Sequence, residues 1–160
     1  MKTRILLIDD DHGPMDYFVD ALRHRGFEVE HIDTVDSFFK RLEVAPIPPD
    51  FDFVVVDMMM PHGKRLTREE TDGGLTSGLK MAHAIRQKYP LLREDVFPAG
   101  VAHAKAVREK FPSVPIVAFS NYNDPEIIAQ LPEGVKTKAK FETSPFEFAD
   151  FIKALIPTSP

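Results

Sequence analysis

The sequence predicts an α/β fold in which helices cover both faces of a parallel sheet. Residues 5–8, 53–56 and 115–119 are almost wholly apolar, which is typical of strands that are buried on both faces. Between them lie stretches whose apolar residues recur three and four positions apart, as in amphipathic helices. Strands that alternate with helices pair in parallel, so we expect one doubly wound sheet.

The first third of the chain is predicted to alternate strand, helix, strand and helix. The first helix follows the first strand and ends at Gly26. Its apolar stripe comprises Met15, Phe18, Val19 and Leu22. Residues 27–32 alternate between apolar and polar side chains, as an outer strand does. Thr34 or Asp36 caps a short second helix, and the Pro-rich stretch 45–50 that follows must be a loop.

The segment between the third and fourth strands is longer than a connection between two parallel strands requires. Residues 62–76 are polar, charged and rich in glycine, so we expect a mobile surface loop. Helices are predicted at 78–89 and 100–111, within thirteen-residue segments that are identical at six positions. They either share an amphipathic composition or derive from a local duplication. Because one helix suffices to connect parallel strands, an enlarged loop and an extra helix are expected within 62–112.

The last part of the chain is predicted to add a helix, a strand and a final helix. A short helix spans 124–131, with Asp124 as its N-cap. Residues 135–141 carry three lysines, which suits an edge strand. Ser144 and Glu147 form the capping box of the last helix. The buried stripe of that helix comprises Phe148, Phe151, Ile152, Leu155 and Ile156.

Composition limits the classes of function. A chain of 160 residues suits one domain, which we expect to span 1–160. The net charge of −5 argues against direct nucleic-acid binding. Without cysteine there is no disulfide, thiolate metal site or thiol nucleophile. No signal peptide and no apolar run of about 20 residues is present, so we expect a cytoplasmic protein without membrane contacts.

Acidic residues follow two of the buried strands. Asp9 and Asp10 come directly after the first strand, and Asp57 comes directly after the third. Five strands with such acids favour the flavodoxin-like strand order 2-1-3-4-5, in which these two strands are neighbours. Carboxylates that meet at the carboxyl edge of the sheet repel one another. Such a cluster requires a cation, a proton or a role in phosphoryl transfer.

Four motifs resemble the receiver domain of two-component response regulators. They are ILLIDDD at 5–11, VVVDMMMP at 54–61, PIVAFSN at 115–121 and a strand-end lysine, Lys140, before a capped helix. The resemblance covers nearly the whole chain except residues 62–111. It implies a phosphoprotein that is not an enzyme and that signals through protein contacts. A histidine kinase or phosphotransfer protein would be its phosphoryl donor. The protein would also bind a downstream protein, and it could pair with a second copy of itself as a homodimer.

The resemblance also implies a division of roles among the acids. Asp57 would be the nucleophile that accepts the phosphoryl group as an aspartyl phosphate. Asp9 and Asp10, together with Asp57 and the backbone carbonyl of Met59, would hold Mg²⁺, which prefers oxygen ligands. Asp11 has no role in this interpretation.

The remaining site residues follow from the ends of strands 4 and 5. Ser120 would hydrogen-bond one phosphoryl oxygen and Lys140 would pair with another, with Lys138 as a rival for that role. Two positions depart from the family pattern. Phe141 replaces the proline that usually follows the lysine, and Thr137 replaces a common aromatic switch residue.

The enlarged central region leads to three further expectations. The helix at 78–89 is favoured as the family's third helix, with 91–112 as an insertion. The insertion is expected to reshape a partner surface or to cover Asp57 partly. Tyr122 is expected to shield the acyl phosphate from water.

Two other functions remain open. A phosphatase of the haloacid-dehalogenase type uses a strand-end aspartate with a second acid two residues later, and Asp9 and Asp11 have that spacing. In that case Asp57 would have no role, and the expected late pair of acids is missing. The third possibility is a receiver-like binding module that is never phosphorylated.

Overall fold

Five parallel strands form one sheet in the order β2-β1-β3-β4-β5. This computed structural model describes residues 2–91 and 113–156. The strands are β1 (Arg4–Ile8), β2 (Glu28–Ile32), β3 (Phe53–Val56), β4 (Ile116–Ser120) and β5 (Lys136–Ala139). Ile8 pairs with Val56, so β1 and β3 end at the same level. The strand order predicted from the sequence is confirmed.

Helices pack on both faces of the sheet, also as predicted. They are α1 (His12–His24), α2 (Val35–Val44), α3 (Ser77–Lys88), α4 (Pro125–Ile128) and α5 (Pro145–Leu155). Within residues 2–91 and 113–156, no helix is both long and apolar enough to cross a membrane. The second helix predicted in the central region, at 100–111, lies outside the described residues.

The sheet separates two apolar cores, because successive strand side chains point to opposite faces. One core joins alternate residues of β1, β3 and β4 to α2 and α3, and the other joins the intervening residues to α1 and α5. The strand residues of the first core are Leu6, Ile8, Val54, Val56, Ile116 and Ala118. Those of the second are Ile5, Leu7, Phe53, Val55, Val117 and Phe119. The helix at the start of the central region, α3, therefore lies beside α2.

Helix α4 is shorter than the predicted span of 124–131. The backbone N–H groups of Gln130 and Leu131 donate to carbonyls three residues earlier, which tightens the chain into turns. Pro132 then offers no N–H with which a helix could continue. The sequence pattern indicated where this helix begins but not where it ends.

Strand β5 is an edge strand, as predicted, but is shorter than 135–141. The N–H of Lys140 still donates to the Ser120 carbonyl at 3.1 Å. The N–H of Phe141 donates instead to the Asn121 side chain at 2.7 Å, so the chain leaves the sheet there. This departure places Lys140 at the carboxyl edge.

The structure shows which of the predicted residues cap their helices. Thr34 caps α2 by accepting from the Ser37 N–H. The other candidate, Asp36, instead accepts from the N–H groups of Lys64 and Arg65, which hold the pKa of its carboxyl below the usual value. The predicted capping box of α5 is confirmed in full.

Residues 62–76 form a loop that is largely exposed, as predicted, but hydrogen bonds tie it to the rest of the fold. Asp36 tethers the first part of the loop to α2. Thr71 is fully buried and its hydroxyl donates to the Thr67 carbonyl at 2.9 Å. Backbone hydrogen bonds then join Gly74, near the end of the loop, to Met60, and they join Gly78, at the start of α3, to Met58. Polar composition concealed this packing because the buried polar groups bond to the loop's own backbone.

Candidate functional site

The ends of β1 and β3 bring two aspartates to the same edge of the sheet. The Asp57 N–H donates to the Ile8 carbonyl at 2.9 Å, and the Asp9 N–H donates to the Ile32 carbonyl at 2.9 Å. Each bond extends the sheet pairing one residue beyond the strand. Asp9 is 2% exposed and Asp57 is 6% exposed. Because the backbone of Asp9 and Asp57 is bonded into the sheet, the positions of both side chains are fixed by the sheet.

Asp10 joins these two acids. Carboxylate oxygens of Asp9, Asp10 and Asp57 all lie within 4.8 Å of one another. Burial, followed by repulsion from Asp57, raises the pKa of Asp9 above its ordinary value. Burial likewise raises the pKa of Asp10. Asp11 is not part of this group; it is exposed, and its backbone N–H donates to Asp9 Oδ1 at 2.9 Å.

Lys140 bridges the two buried acids. Its Nζ lies 2.6 Å from Asp9 Oδ2 and 3.3 Å from Asp57 Oδ2. Burial lowers the pKa of Lys140, but attraction to Asp57 and Asp9 outweighs burial and the net pKa is raised. Lys138, the rival at the sequence level, instead places its Nζ 5.4 Å from the centre of the Phe151 ring. The Lys140 ammonium group thus contacts two of the three clustered carboxylates.

The donor set of this cluster fits a magnesium ion. Three carboxylates supply oxygen ligands, which Mg²⁺ prefers, and no nitrogen or sulfur ligand is included. The Met59 N–H donates to Asp57 Oδ1 at 3.3 Å, which ties that peptide to the acid. In the described part of the chain, no donor reaches the Met59 carbonyl. That carbonyl is therefore free to act as a further oxygen ligand.

Ser120 lies at the end of β4, next to β3, and is 5% exposed. Its Oγ accepts from the Tyr122 N–H at 3.1 Å. Within residues 2–91 and 113–156, no hydrogen bond joins Ser120 to Asp57. Ser120 and Tyr122 instead line a cavity of about 130 Å³ between β4, β5 and α4, which Met58 and Thr137 also line.

The sequence did not indicate how closely α3 approaches the site. A Cβ on Gly78 would lie 2.2 Å from the Asp57 carbonyl oxygen and 2.5 Å from Met58 Cα. The signal that could have shown this is a glycine in the first turn of a helix, where glycine is unfavourable unless backbone packs against it. The 91–112 insertion, expected to cover Asp57, falls almost wholly outside the described residues.

No protein-family model matches the chain. The response regulator receiver protein CpdR of Brucella abortus is similar over 71 residues, with 35% identity. That alignment covers 43% of this chain and 56% of CpdR, so the chain spans about half the length of this relative.

Solved structures are similar over nearly the whole chain. CheY4, a chemotaxis protein of Vibrio cholerae, has a TM-score of 0.63 and 15% identity, over 98% of this chain and 100% of that one. The signal receiver domain of an HD domain-containing protein from Pseudomonas fluorescens has a TM-score of 0.63 and 13% identity, over 96% and 94%. At such identities these likenesses establish the fold. The chain therefore has the fold of these receiver domains, and 43% of its sequence is similar to that of a response regulator receiver protein.

Proposed function

We propose that this protein is a receiver domain of the response-regulator type, which accepts a phosphoryl group on Asp57 and signals through protein contacts. The supporting observation is the contact of Lys140 with both Asp9 and Asp57 at the carboxyl edge of the sheet. A buried lysine between two buried acids places a fixed positive charge where phosphoryl oxygens would arrive.

Asp57 would be the nucleophile. One of its oxygens would attack the phosphorus of a phosphohistidine on a histidine kinase or phosphotransfer protein. The P–N bond would break as the P–O bond forms, and its electron pair would return to the imidazole nitrogen. The carboxylate is 6% exposed, so a donor must present its phosphoryl group at the edge of the sheet.

The side chains around Asp57 would hold the transferred group. Lys140 would exchange its contact with Asp9 for a phosphoryl oxygen, and the Ser120 hydroxyl would donate to another. Asp9, Asp10, Asp57 and the Met59 carbonyl would hold Mg²⁺, whose positive charge would offset that of the phosphoryl oxygens. Tyr122 follows Ser120 closely and would restrict the access of water to the acyl phosphate.

The phosphatase alternative has less support. It assigns the chemistry to Asp9 and Asp11 and leaves Asp57 without a role. Asp57 lies in the acidic cluster and contacts Lys140, whereas the exposed Asp11 lies outside that cluster. The receiver interpretation uses each of the clustered acids.

Modification by beryllofluoride or acetyl phosphate tests the proposal. In the presence of Mg²⁺ the protein should form a one-to-one adduct, and Asp57→Asn should abolish it. Asp11→Asn is the matched control and should leave it intact. An adduct that survives Asp57→Asn, or one that is lost with Asp11→Asn, would contradict the proposal. Turnover of p-nitrophenyl phosphate that depends on Asp11 would favour the phosphatase, and absence of any adduct would favour a non-phosphorylated binding module.

A further inference from the structure

The segment 74–78, which ends the enlarged loop and begins α3, is bonded to the chain directly after Asp57. The Met60 N–H donates to the Gly74 carbonyl at 3.1 Å. The Ser77 hydroxyl donates to the Met60 carbonyl at 2.7 Å. The Gly78 N–H donates to the Met58 carbonyl at 3.0 Å. Three hydrogen bonds therefore fix the backbone of residues 58–60.

These bonds supply donors to two of three consecutive carbonyls, those of residues 58–60. The Met58 carbonyl has the Gly78 N–H as its donor, and the Met60 carbonyl has the Ser77 hydroxyl. The carbonyl between them, that of Met59, has no donor in the described ranges 2–91 and 113–156. Met59 is 41% exposed and its N–H donates to Asp57, so its unpaired carbonyl can supply an oxygen ligand to a cation held by the acids.

Ser77 has no competing function in its helix. The N-cap of α3 is Thr76, and no side chain there accepts a capping hydrogen bond. Ser77 is 0% exposed, and its hydroxyl donates to the Met60 carbonyl across the loop. Its hydroxyl is therefore used to hold the backbone that follows Asp57.

We propose that Ser77 is a positioning residue of the metal site. By occupying the Met60 carbonyl, its hydroxyl fixes the orientation of the adjacent peptides and leaves the Met59 carbonyl as the backbone ligand. This inference rests on the proposed function, because it requires that the cluster of Asp9, Asp10 and Asp57 holds Mg²⁺. Without the Ser77 hydroxyl, the buried Met60 carbonyl must seek another donor, and the peptide that carries the Met59 carbonyl keeps only the bond from the Met60 N–H to the Gly74 carbonyl.

The test measures Mg²⁺ affinity of the whole chain by titration calorimetry. Ser77→Ala should weaken binding about tenfold or more, as loss of a partner that orients a ligand commonly does. Ser77→Cys leaves no cavity, since a thiol is slightly larger than a hydroxyl, but a thiol is only a weak donor. This variant should therefore weaken binding as well, which guards against a folding defect caused by a cavity. Tyr89→Phe is the matched control, because it removes a hydroxyl that donates to the Pro46 carbonyl at the other end of α3. Its Mg²⁺ affinity should remain within about twofold of the wild type.

A spectroscopic measurement separates positioning from general stability. In protein with ¹³C-labelled carbonyls, Mg²⁺ should shift the Met59 carbonyl resonance in the wild type and in Tyr89→Phe. The shift should be smaller in Ser77→Ala. If both Ser77 variants bind Mg²⁺ as tightly as Tyr89→Phe does, the positioning role is refuted. If Asp10→Asn weakens binding in that same experiment, the metal site itself stands. If the wild type does not bind Mg²⁺, or Asp10→Asn has no effect, the proposed site fails and the role of Ser77 fails with it.

Discussion

Replacing Gly78 with alanine should destabilise the protein because no space exists for the added methyl group. The new Cβ would lie 2.2 Å from the Asp57 carbonyl oxygen, 2.5 Å from Met58 Cα and 2.8 Å from the Asp57 carbonyl carbon. All three are backbone atoms, so no flexible side chain can move aside. Either α3 or the strand end that carries Asp57 must shift.

The expected loss is about 2 kcal/mol in the free energy of unfolding. Overpacking typically costs about 1–3 kcal/mol, and rigid backbone on the opposing side favours the upper part of that range. Alanine recovers up to about 1 kcal/mol, because it is a better helix former than glycine. For a chain of this size, a net loss of about 2 kcal/mol lowers Tm by roughly 4–8 °C.

Urea denaturation of the metal-free protein measures this loss, and Gly13→Ala provides the matched control. Gly13 is the second residue of α1, as Gly78 is of α3, but a Cβ on Gly13 would meet nothing within 4 Å. Gly13→Ala should therefore be neutral or stabilising by up to about 1 kcal/mol. Equal stabilities of the two variants would refute the steric explanation.

Four further changes follow from described features. Lys140→Ala should lower the free energy of unfolding in metal-free buffer by about 3 kcal/mol, because it leaves buried carboxylates unpaired. Lys138→Ala should lower it by less than about 1 kcal/mol. Thr137→Phe should raise the urea midpoint, with a gain of about 1 kcal/mol, because the ring can enter the cavity of about 130 Å³ that Thr137 lines; an unchanged or lower midpoint would count against this. Ser144→Ala should cost about 1 kcal/mol at pH 7 through loss of the N-cap. The Ser144 N–H lowers the pKa of Glu147 below 4.5, so the stability that this carboxylate contributes is present above pH 4.5 and is lost as the pH falls through its lowered pKa. A Glu147→Gln variant should therefore match the wild type at low pH but be less stable than it at neutral pH.

The sheet and its acidic edge could be predicted because their signals are local. An apolar segment of four or five residues that ends in an acid is typical of a buried strand with its carboxyl end at the ligand edge. Asp9 and Asp57 therefore lie together as the pattern indicated. The strand order follows once alternation with helices is recognised.

The packing of the central loop could not be predicted because it depends on contacts across the fold. Ser77 reads as an ordinary polar residue at the start of a helix, and nothing in its neighbours shows that it is fully buried against the Met60 carbonyl. The sequence likewise does not show that Lys140 lies closer to Asp9 than to Asp57. Sequence spacing places a residue on an element but does not fix which atom its side chain reaches.

The two cores have a consequence for how a signal could travel. Asp9 and Asp57 continue the alternation of the strand residues that face α1 and α5, whereas Ser120 continues that of the residues that face α2 and α3. The two alternations meet at the carboxyl edge, because Asp10 continues the residues that face α2 and α3 and yet lies with Asp9 and Asp57. A phosphoryl group on Asp57 that drew the Ser120 hydroxyl toward it would therefore alter the lining of the cavity between β4, β5 and α4, and so convert a chemical event at the edge of the sheet into a change of shape beside it.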